Sequence, residues 1–98
     1  LKAASRIQQV LDEWDVRKAE FEPVLLNNRK LWTVLVSSVT EESNPLPRPI
    51  KQNVANLAIF IFKRTLELTQ EPDPRRADVL VQINRNVAEG LRARAEAA

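Results

Sequence analysis

Apolar residues recur with helical periodicity in four segments of the chain, and the first covers residues 2–19. Stepping the residues at about 100° each, as in an α-helix, places its apolar side chains on one arc. The remaining positions are mostly Gln, Asp, Glu, Lys and Arg. We therefore predict an amphipathic helix whose buried face consists of Ala3, Ile7, Val10, Leu11 and Trp14.

The second segment runs from Pro23 to Val39 and has one polar residue, Asn28, in the middle of its apolar arc. An unpaired buried amide costs about 1–3 kcal/mol, so we expect Asn28 to have a hydrogen-bond partner. Leu26 and Val34 fall outside the arc. The arc itself comprises Val24, Leu25, Leu31, Trp32, Leu35, Val36 and Val39.

The third segment, residues 47–70, has an apolar arc that covers about half of the helix circumference. A helix this broadly apolar is either central to a bundle or buried on a second side by a partner, and the sequence leaves both open. Phe60 differs from its neighbours because it lies on the polar arc. One edge of the apolar arc holds Ile50, Val54, Leu57, Ile61 and Leu68, and the other holds Ala55, Ile59, Phe62 and Leu66.

The fourth segment begins near Asp73 and Pro74, which are suited to the N-cap and first position of a helix. We expect Leu80, Ile83, Val87 and Leu91 to face inward, with Asn84 beside them, and residues 92–98 to fray. Gly90 lies near this arc, where glycine costs about 1 kcal/mol relative to alanine. Either the helix ends at Gly90 or a neighbouring element packs closely against it.

All six prolines lie at the boundaries of these segments, and the chain has one glycine. Proline is tolerated in the first turn of a helix but not in its interior. The linker of residues 41–47 includes Asn44-Pro45, which favours a turn, and Leu46, which we expect to plug one end of the bundle. We therefore predict one all-α domain over residues 1–98, a small four-helix up-down bundle with proline-marked connections.

The amino-acid composition excludes several common kinds of catalytic and metal site. The chain has no cysteine and no histidine, which excludes disulfides and Cys/His zinc sites and removes the best proton-transfer side chain. The carboxylates lie on predicted solvent faces or in linkers, and no glycine-rich phosphate loop is present. We therefore predict a non-enzymatic protein with no cofactor and no metal site.

The net charge and the hydropathy of the chain limit the kinds of partner that we expect. The net charge is +2 and dispersed, which does not favour nucleic-acid binding. The longest apolar run, residues 57–62, is far short of the roughly 20 residues that span a membrane. We expect a cytoplasmic protein without a membrane segment. The sequence does not determine its oligomeric state.

A few residues are candidates for contacts. Asn28 and Asn84 are expected to bond each other or the backbone of residues 44–47, and recognition of a partner is the alternative. Trp32 follows Arg29 and Lys30, but its position on the inner arc favours core packing over base stacking. Phe60 is either an unremarkable exposed aromatic or part of a protein-binding patch. The predicted partner-binding residues are Ile59, Phe60, Phe62, Lys63 and Arg29.

Four stretches read as family signatures. Residues 28–32 are Asn-Arg-Lys-Leu-Trp, residues 44–47 are Asn-Pro-Leu-Pro, residues 57–61 are an apolar run, and residues 83–91 read INRNVAEGL. Together, in this order, they resemble the FlaF family of flagellar biosynthesis regulators, whose patterns are N-R-R/K-L-W, N-x-L-P and I-N-x-x-I/V-x-x-G-L. The resemblance assigns family-motif roles to Asn28, Leu31, Trp32, Asn44, Leu46, Pro47, Asn84, Gly90 and Leu91.

The resemblance implies a flagellin-specific factor that binds unassembled flagellin in the cytoplasm as a secretion chaperone and promotes its synthesis. It also implies a functional link to the FlbT family, which is similar to a regulator of flagellin transcript. Flagellin ends are helical and amphipathic, so we expect helix-in-groove docking beside the third helix. Family members carry an N-terminal tyrosine-containing segment, and because this chain has no tyrosine we expect that segment to be missing.

Two other functions stay open at this point. One is an RNA-binding regulator of flagellin transcript, with contacts from Arg29, Lys30, Lys63, Arg64, Arg85, Arg92 and Arg94. The other is a structural adaptor for another helical protein.

Overall fold

The computed structural model describes residues 2–97, and side chains through residue 96. Four long or medium helices form a bundle, which confirms the all-α prediction, and no strand occurs among the described residues. The elements are α1 (Lys2–Asp12), the short α2 (Trp14–Arg17), a 3-10 turn (Lys18–Glu20), α3 (Phe21–Val39), α4 (Arg48–Gln70) and α5 (Pro74–Ala97).

Successive long helices run in opposite directions. The start of α3, at Phe21 and Glu22, shares a small hollow with the end of α4, at Leu68 and Thr69. The beginning of α4 likewise lies beside the last turns of α5. We call the end of the bundle formed by residues 13–22 and 64–76 the closed end, and the opposite end, formed by residues 31–57 and 83–96, the linker end.

The predicted continuous helix over residues 2–19 is wrong, because α1 ends at Asp12 and the chain turns at Glu13. The apolar arc stops at Trp14, so nothing beyond it would hold a continued helix against the core. The Trp14 ring instead meets Phe21 edge-on, with ring centroids 4.9 Å apart at an angle of 85°. This contact brings the chain round into α3.

Arg17 ties this turn together with two short ion pairs. Its guanidinium lies 3.0 Å from the Glu13 carboxylate and 3.2 Å from that of Glu20. The hydrogen bond to Glu13 is the largest cause of a raised pKa for Arg17, followed by the charge of Glu13 and then that of Glu20.

The prolines and caps start the helices near the predicted positions. α3 begins two residues before Pro23, which lies in its first turn, where a missing N–H is tolerated. The Asn44 side chain accepts a hydrogen bond from the Leu46 N–H at 3.0 Å, and Leu46 packs against the core as predicted. Asp73 caps α5 by accepting the Arg75 N–H at 3.0 Å, and α5 starts at Pro74 as predicted.

One edge of the broad arc of α4 is core and the other is partly exposed. Val54, Ile61 and Leu68 are buried, whereas Ile59 is 67% exposed and Leu66 is 57% exposed. α4 is therefore central to the bundle on one side only. The rest of the hydrophobic core consists of buried side chains from α1, α3 and α5. These are Ala4, Ile7, Val10, Phe21, Leu25, Trp32, Val39, Ala77, Leu80 and Val81.

Two expectations about exposure and length differ from the structure. Leu31 was expected to face inward but is 42% exposed, because it lies at the edge of the contact between α3 and α5. α5 is helical through Ala97, past Leu91 where fraying was expected, and Ala98 lies outside the described residues. None of the helices in the described part of the chain is long and apolar enough to cross a membrane.

Two isoleucines on α4 provide a matched test of this packing. Ile61 is fully buried, so Ile61→Ala should lower the free energy of unfolding by about 2–5 kcal/mol. Ile59→Ala, at an exposed position two residues earlier, should change it by less than about 0.5 kcal/mol. Urea unfolding followed by circular dichroism measures both. Equal losses for the two variants would contradict the assignment of the buried face.

Candidate functional site

A chain of hydrogen bonds crosses the core between α3 and α5. The Trp32 indole donates from Nε1 to Asn84 Oδ1 at 2.7 Å, and Asn84 donates from Nδ2 to Asn28 Oδ1 at 2.6 Å. All three side chains are buried. The prediction that Asn28 and Asn84 bond each other is thus confirmed, and so is the core position of Trp32.

Two buried polar groups have no hydrogen-bond partner in the described structure. Asn28 Nδ2 and the hydroxyl of the fully buried Thr65 on α4 have no hydrogen-bond partner among the described residues. Each unpaired buried group costs about 1–3 kcal/mol, so this layer stabilises the fold less than its hydrogen bonds alone would indicate. The bonds that are made nevertheless define the rotation of α5 relative to α3.

Two apolar grooves open at the linker end, on either side of the α5 ridge formed by Val87 and Leu91. The α3–α5 groove has a volume of about 140 Å³ and is lined by Leu31, Trp32, Leu35, Asn84, Val87, Ala88 and Leu91. The α4–α5 groove has a volume of about 360 Å³ and is lined by Ile50, Asn53, Val54, Leu57, Ile83, Asn86, Val87, Gly90, Leu91 and Arg94.

The described part of α1 does not line the α3–α5 groove. α1 packs against α5 and α3, and its connection to α3 lies at the closed end. At about 1.5 Å per residue, its 11 residues extend about 16 Å, whereas the 24 residues of α5 extend about 36 Å. Among the described residues, no helix covers the part of the groove between α3 and α5 at the linker end.

The segments singled out in the sequence meet at this groove. Residues 28–32 and residues 83–91 contribute the hydrogen-bonded side chains, the groove floor and much of its walls. Residues 44–47 form the turn at the same end of the bundle. The sequence did not point to Leu35 and Ala88 as site residues, although the spacing of Ala88 and Leu91 from Asn84 would have placed them on one side of a helix.

The predicted partner-binding residues come together only in part. Ile59 is exposed, Phe62 is half-buried against the core, and Lys63 is exposed. Arg29 is on a different helix, also exposed, and none of these residues lines either groove. Ile59, Phe62 and Lys63 are three or four residues apart and share one face of α4, whereas Phe60 lies on another face. Their role in binding stays a prediction.

Phe60 is half-buried rather than a free-standing exposed aromatic. The Arg64 guanidinium lies 5.0 Å from its ring centroid, and Arg64 also donates to the backbone carbonyl of Arg76 at 2.9 Å. Glu67 lies 3.2 Å from both arginine side chains. Phe60 therefore belongs to a cluster that clamps α4 to the start of α5, which the periodicity of α4 alone could not reveal.

Gly90 fits neither of its two expectations. The helix continues past it, and a methyl group built at its α-carbon would meet no atom within 4 Å. Gly90 lies instead on the exposed rim of the α4–α5 groove. Nothing in the described chain requires a glycine there.

Comparison with known proteins places the chain in a family. A family model described as "Flagellar protein FlaF" matches residues 1–91, which includes α1. No curated protein and no solved structure matches the chain.

Asn84 is the position at which the buried hydrogen bonds are tested. Asn84→Ala removes the partner of both Trp32 and Asn28, so the free energy of unfolding should fall by about 2 kcal/mol or more. Asn86→Ala, at an exposed position on the same helix, is the control and should change it by less than about 0.5 kcal/mol. Thermal unfolding followed by circular dichroism provides the measurement. A loss for Asn84→Ala no larger than that for Asn86→Ala would contradict the proposed bonding.

Gly90→Ala should stabilise the free protein. The added methyl group meets open space, and alanine is favoured over glycine in a helix interior by about 1 kcal/mol. The expected gain is about 0.5–1 kcal/mol in chemical unfolding. A destabilised variant would show that Gly90 is closely packed in solution.

Proposed function

This chain belongs to the FlaF family of flagellar proteins and so to flagellum biogenesis, and we propose that it binds flagellin as a non-catalytic chaperone and regulator. In this proposal, the cytoplasmic protein holds a helical terminal segment of unassembled flagellin and promotes flagellin synthesis and export. A functional link to the FlbT family is part of the same proposal.

The observation that carries the proposal is the pair of apolar grooves beside Val87 and Leu91. A groove between two helices is a suitable site for the apolar stripe of a third. The ridge residues Val87 and Leu91 are half-buried and are accessible from both grooves. An amphipathic helix of flagellin docked there would lose its own exposed apolar surface, which is how a chaperone prevents self-association of its client.

RNA binding is a weaker alternative. Two of its supporting features fall away, because Trp32 is buried and hydrogen-bonded and Arg64 is engaged with Phe60 and Glu67. Base stacking needs an accessible aromatic ring beside basic residues. The remaining arginines are dispersed over several helices. The adaptor alternative differs only in the identity of the helical partner.

Isothermal titration of the protein with full-length flagellin at two temperatures and two salt concentrations tests the proposal. We expect binding with a negative heat-capacity change and little dependence on salt, since apolar surface is buried. Binding only to flagellin transcript, with affinity falling steeply as salt rises, would instead support the RNA alternative. Absence of any binding to flagellin would overturn the proposal.

Two variants locate the binding face. Leu91→Glu places a charge between the grooves and should weaken flagellin binding at least tenfold, since desolvating an unpaired carboxylate is costly. Ile59→Glu places the same charge at an exposed position outside both grooves and should leave the affinity unchanged. Circular dichroism confirms that both variants fold. The reverse result would move the binding face to Ile59, as predicted from the sequence.

A further inference from the structure

We infer that the outer face of α3 and α4 is a second docking surface, for an amphipathic helix that carries acidic side chains beside its apolar stripe. We call this surface the α3–α4 face. The inference does not depend on the binding of flagellin, because the face lies outside both apolar grooves. Its members are Leu26, Arg29 and Lys30 on α3 and Ala55, Ile59, Phe62, Lys63 and Leu66 on α4.

The apolar part of the α3–α4 face is a stripe along α4. Ala55, Ile59, Phe62 and Leu66 are spaced by four, three and four residues, which is the spacing of the seam in a coiled coil. Ile59 is 67% exposed and Leu66 is 57% exposed, and the other two side chains are half-buried. This spacing suits a second helix that lies along α4 at the small crossing angle of such seams.

The α3 part of the face lies beside this stripe. Leu26, Arg29 and Lys30 are three or four residues apart, so they share one side of α3. On a helical wheel this side lies nearly opposite Leu31 and Leu35, which line the groove toward α5. Because α3 also packs along α4, the side turned away from α5 borders α4 and solvent.

The register of the two helices places the basic residues of α3 at the middle of the stripe. α3 and α4 run in opposite directions, and Phe21 shares a hollow with Leu68. Both helices rise about 1.5 Å per residue, so Lys30, nine residues after Phe21, lies level with Ile59, nine residues before Leu68. Lys63 follows Ile59 by four residues and borders the stripe on its other side.

These cations have no carboxylate beside them on their own helices within the face. Residues 23–39 and residues 48–66, which make up most of α3 and α4, contain no Asp or Glu. Arg29, Lys30 and Lys63 are exposed, and none of them takes part in an ion pair with the described residues. The apolar stripe is therefore bordered by positive charge on both sides.

The two carboxylates that flank these segments leave this charge in place. Glu67 follows Lys63 by four residues, but its carboxylate lies 3.2 Å from both Arg64 and Arg76, so that cluster keeps a net positive charge. Glu22 precedes Arg29 by seven residues, about 10 Å along the helix axis. Salt largely screens exposed charges at about that separation.

Charge complementarity then favours an acidic partner helix. Charged residues beside the seam of paired helices determine which partner binds. Acidic side chains beside the partner's apolar stripe would lie near Arg29, Lys30 and Lys63, whereas basic ones would be repelled. A second copy of this chain would bring the same cations against each other, because a two-fold interface pairs a surface with itself. Nucleic acid would leave the exposed Ile59 and Leu66 side chains without an apolar contact.

Fluorescence anisotropy of labelled peptides tests the face. The probes are two designed helical peptides of about four turns (~15 residues), which covers the length of the stripe. They share one apolar stripe at coiled-coil spacing and differ only in carrying Glu or Lys beside it. We expect the Glu-bordered peptide to bind at least about tenfold more tightly than the Lys-bordered peptide, since like charges are repelled.

A charge reversal on α3 tests the basic border. Arg29→Glu/Lys30→Glu should reverse the preference between the two peptides. The matched control is Lys2→Glu/Arg6→Glu, which makes the same change in net charge at two exposed positions of α1 and should keep the original preference. Circular dichroism checks that both double variants fold.

A second pair of variants tests the apolar stripe. Ile59→Ser/Leu66→Ser removes its two exposed side chains and should weaken binding of the Glu-bordered peptide at least about tenfold, because apolar burial is lost. The control is Val16→Ser on α2, where an 84% exposed side chain lies outside the face, and it should leave the affinity unchanged.

Several outcomes would overturn the inference. Absence of peptide binding, equal binding of the two peptides, or an unchanged preference in Arg29→Glu/Lys30→Glu would remove the basic border from recognition. Self-association of the chain that is lost in Ile59→Ser/Leu66→Ser, measured by sedimentation, would assign the face to a second copy. Displacement of the Glu-bordered peptide by an RNA oligonucleotide, with steep salt dependence, would assign it to nucleic acid.

The inference and the proposed function fail in different ways. If full-length flagellin binds but the two peptides bind equally, the flagellin proposal stands and the inference is wrong. If the Glu-bordered peptide binds with the expected preference but flagellin does not bind, the α3–α4 face stands as a docking surface and the flagellin proposal is wrong.

Discussion

The hydrogen bonds that link Asn28, Asn84 and Trp32 are the constraint on which the arrangement of α3 and α5 depends. Apolar packing alone allows a helix to rotate or slide by small amounts with little loss, because one aliphatic side chain can replace another. Two directional bonds near 2.7 Å in a buried setting remove that freedom. A shift of α5 by one residue would leave an indole N–H and two amides without partners, at a cost of about 1–3 kcal/mol for each group.

This fixed relation positions the grooves. With α5 held against α3 at Asn84, the next turns of α5 present Val87 and Leu91 as a ridge between α3 and α4. The other end of α5 is held differently, by the ion pairs of Glu67 with Arg64 and Arg76 and by the arginine above Phe60. The closed end of the bundle is therefore rich in ion pairs, whereas the linker end is rich in accessible apolar surface. Both apolar grooves of the described chain lie at the linker end.

The sequence predicted those features that depend on one helix at a time. Helix positions followed from periodicity and proline placement, and Asn28 and Asn84 were paired correctly because a buried amide demands a partner. Apart from that pair, which was one of the two arrangements expected for these amides, features that depend on two helices were not predictable. The end of α1 at Asp12 has no proline or glycine to mark it, and the bond from Trp32 to Asn84 spans 52 residues of sequence. Phe60 lies on the polar arc of α4, yet the start of α5 partly covers it. Each groove lies between two helices, so no single segment of the sequence shows it.

Trp32 and Asn84 belong both to the core and to the floor of the α3–α5 groove. Binding of a ligand in this groove would therefore also stabilise the folded chain. A ligand that binds only the folded chain adds to its stability in proportion to the logarithm of ligand concentration, by about 2.7 kcal/mol at one hundred times the dissociation constant. A chain of this size has only a few kcal/mol in reserve. Its lifetime in the cell would then rise when free partner is abundant and fall when the partner has been used up, so that turnover itself reports the supply of partner.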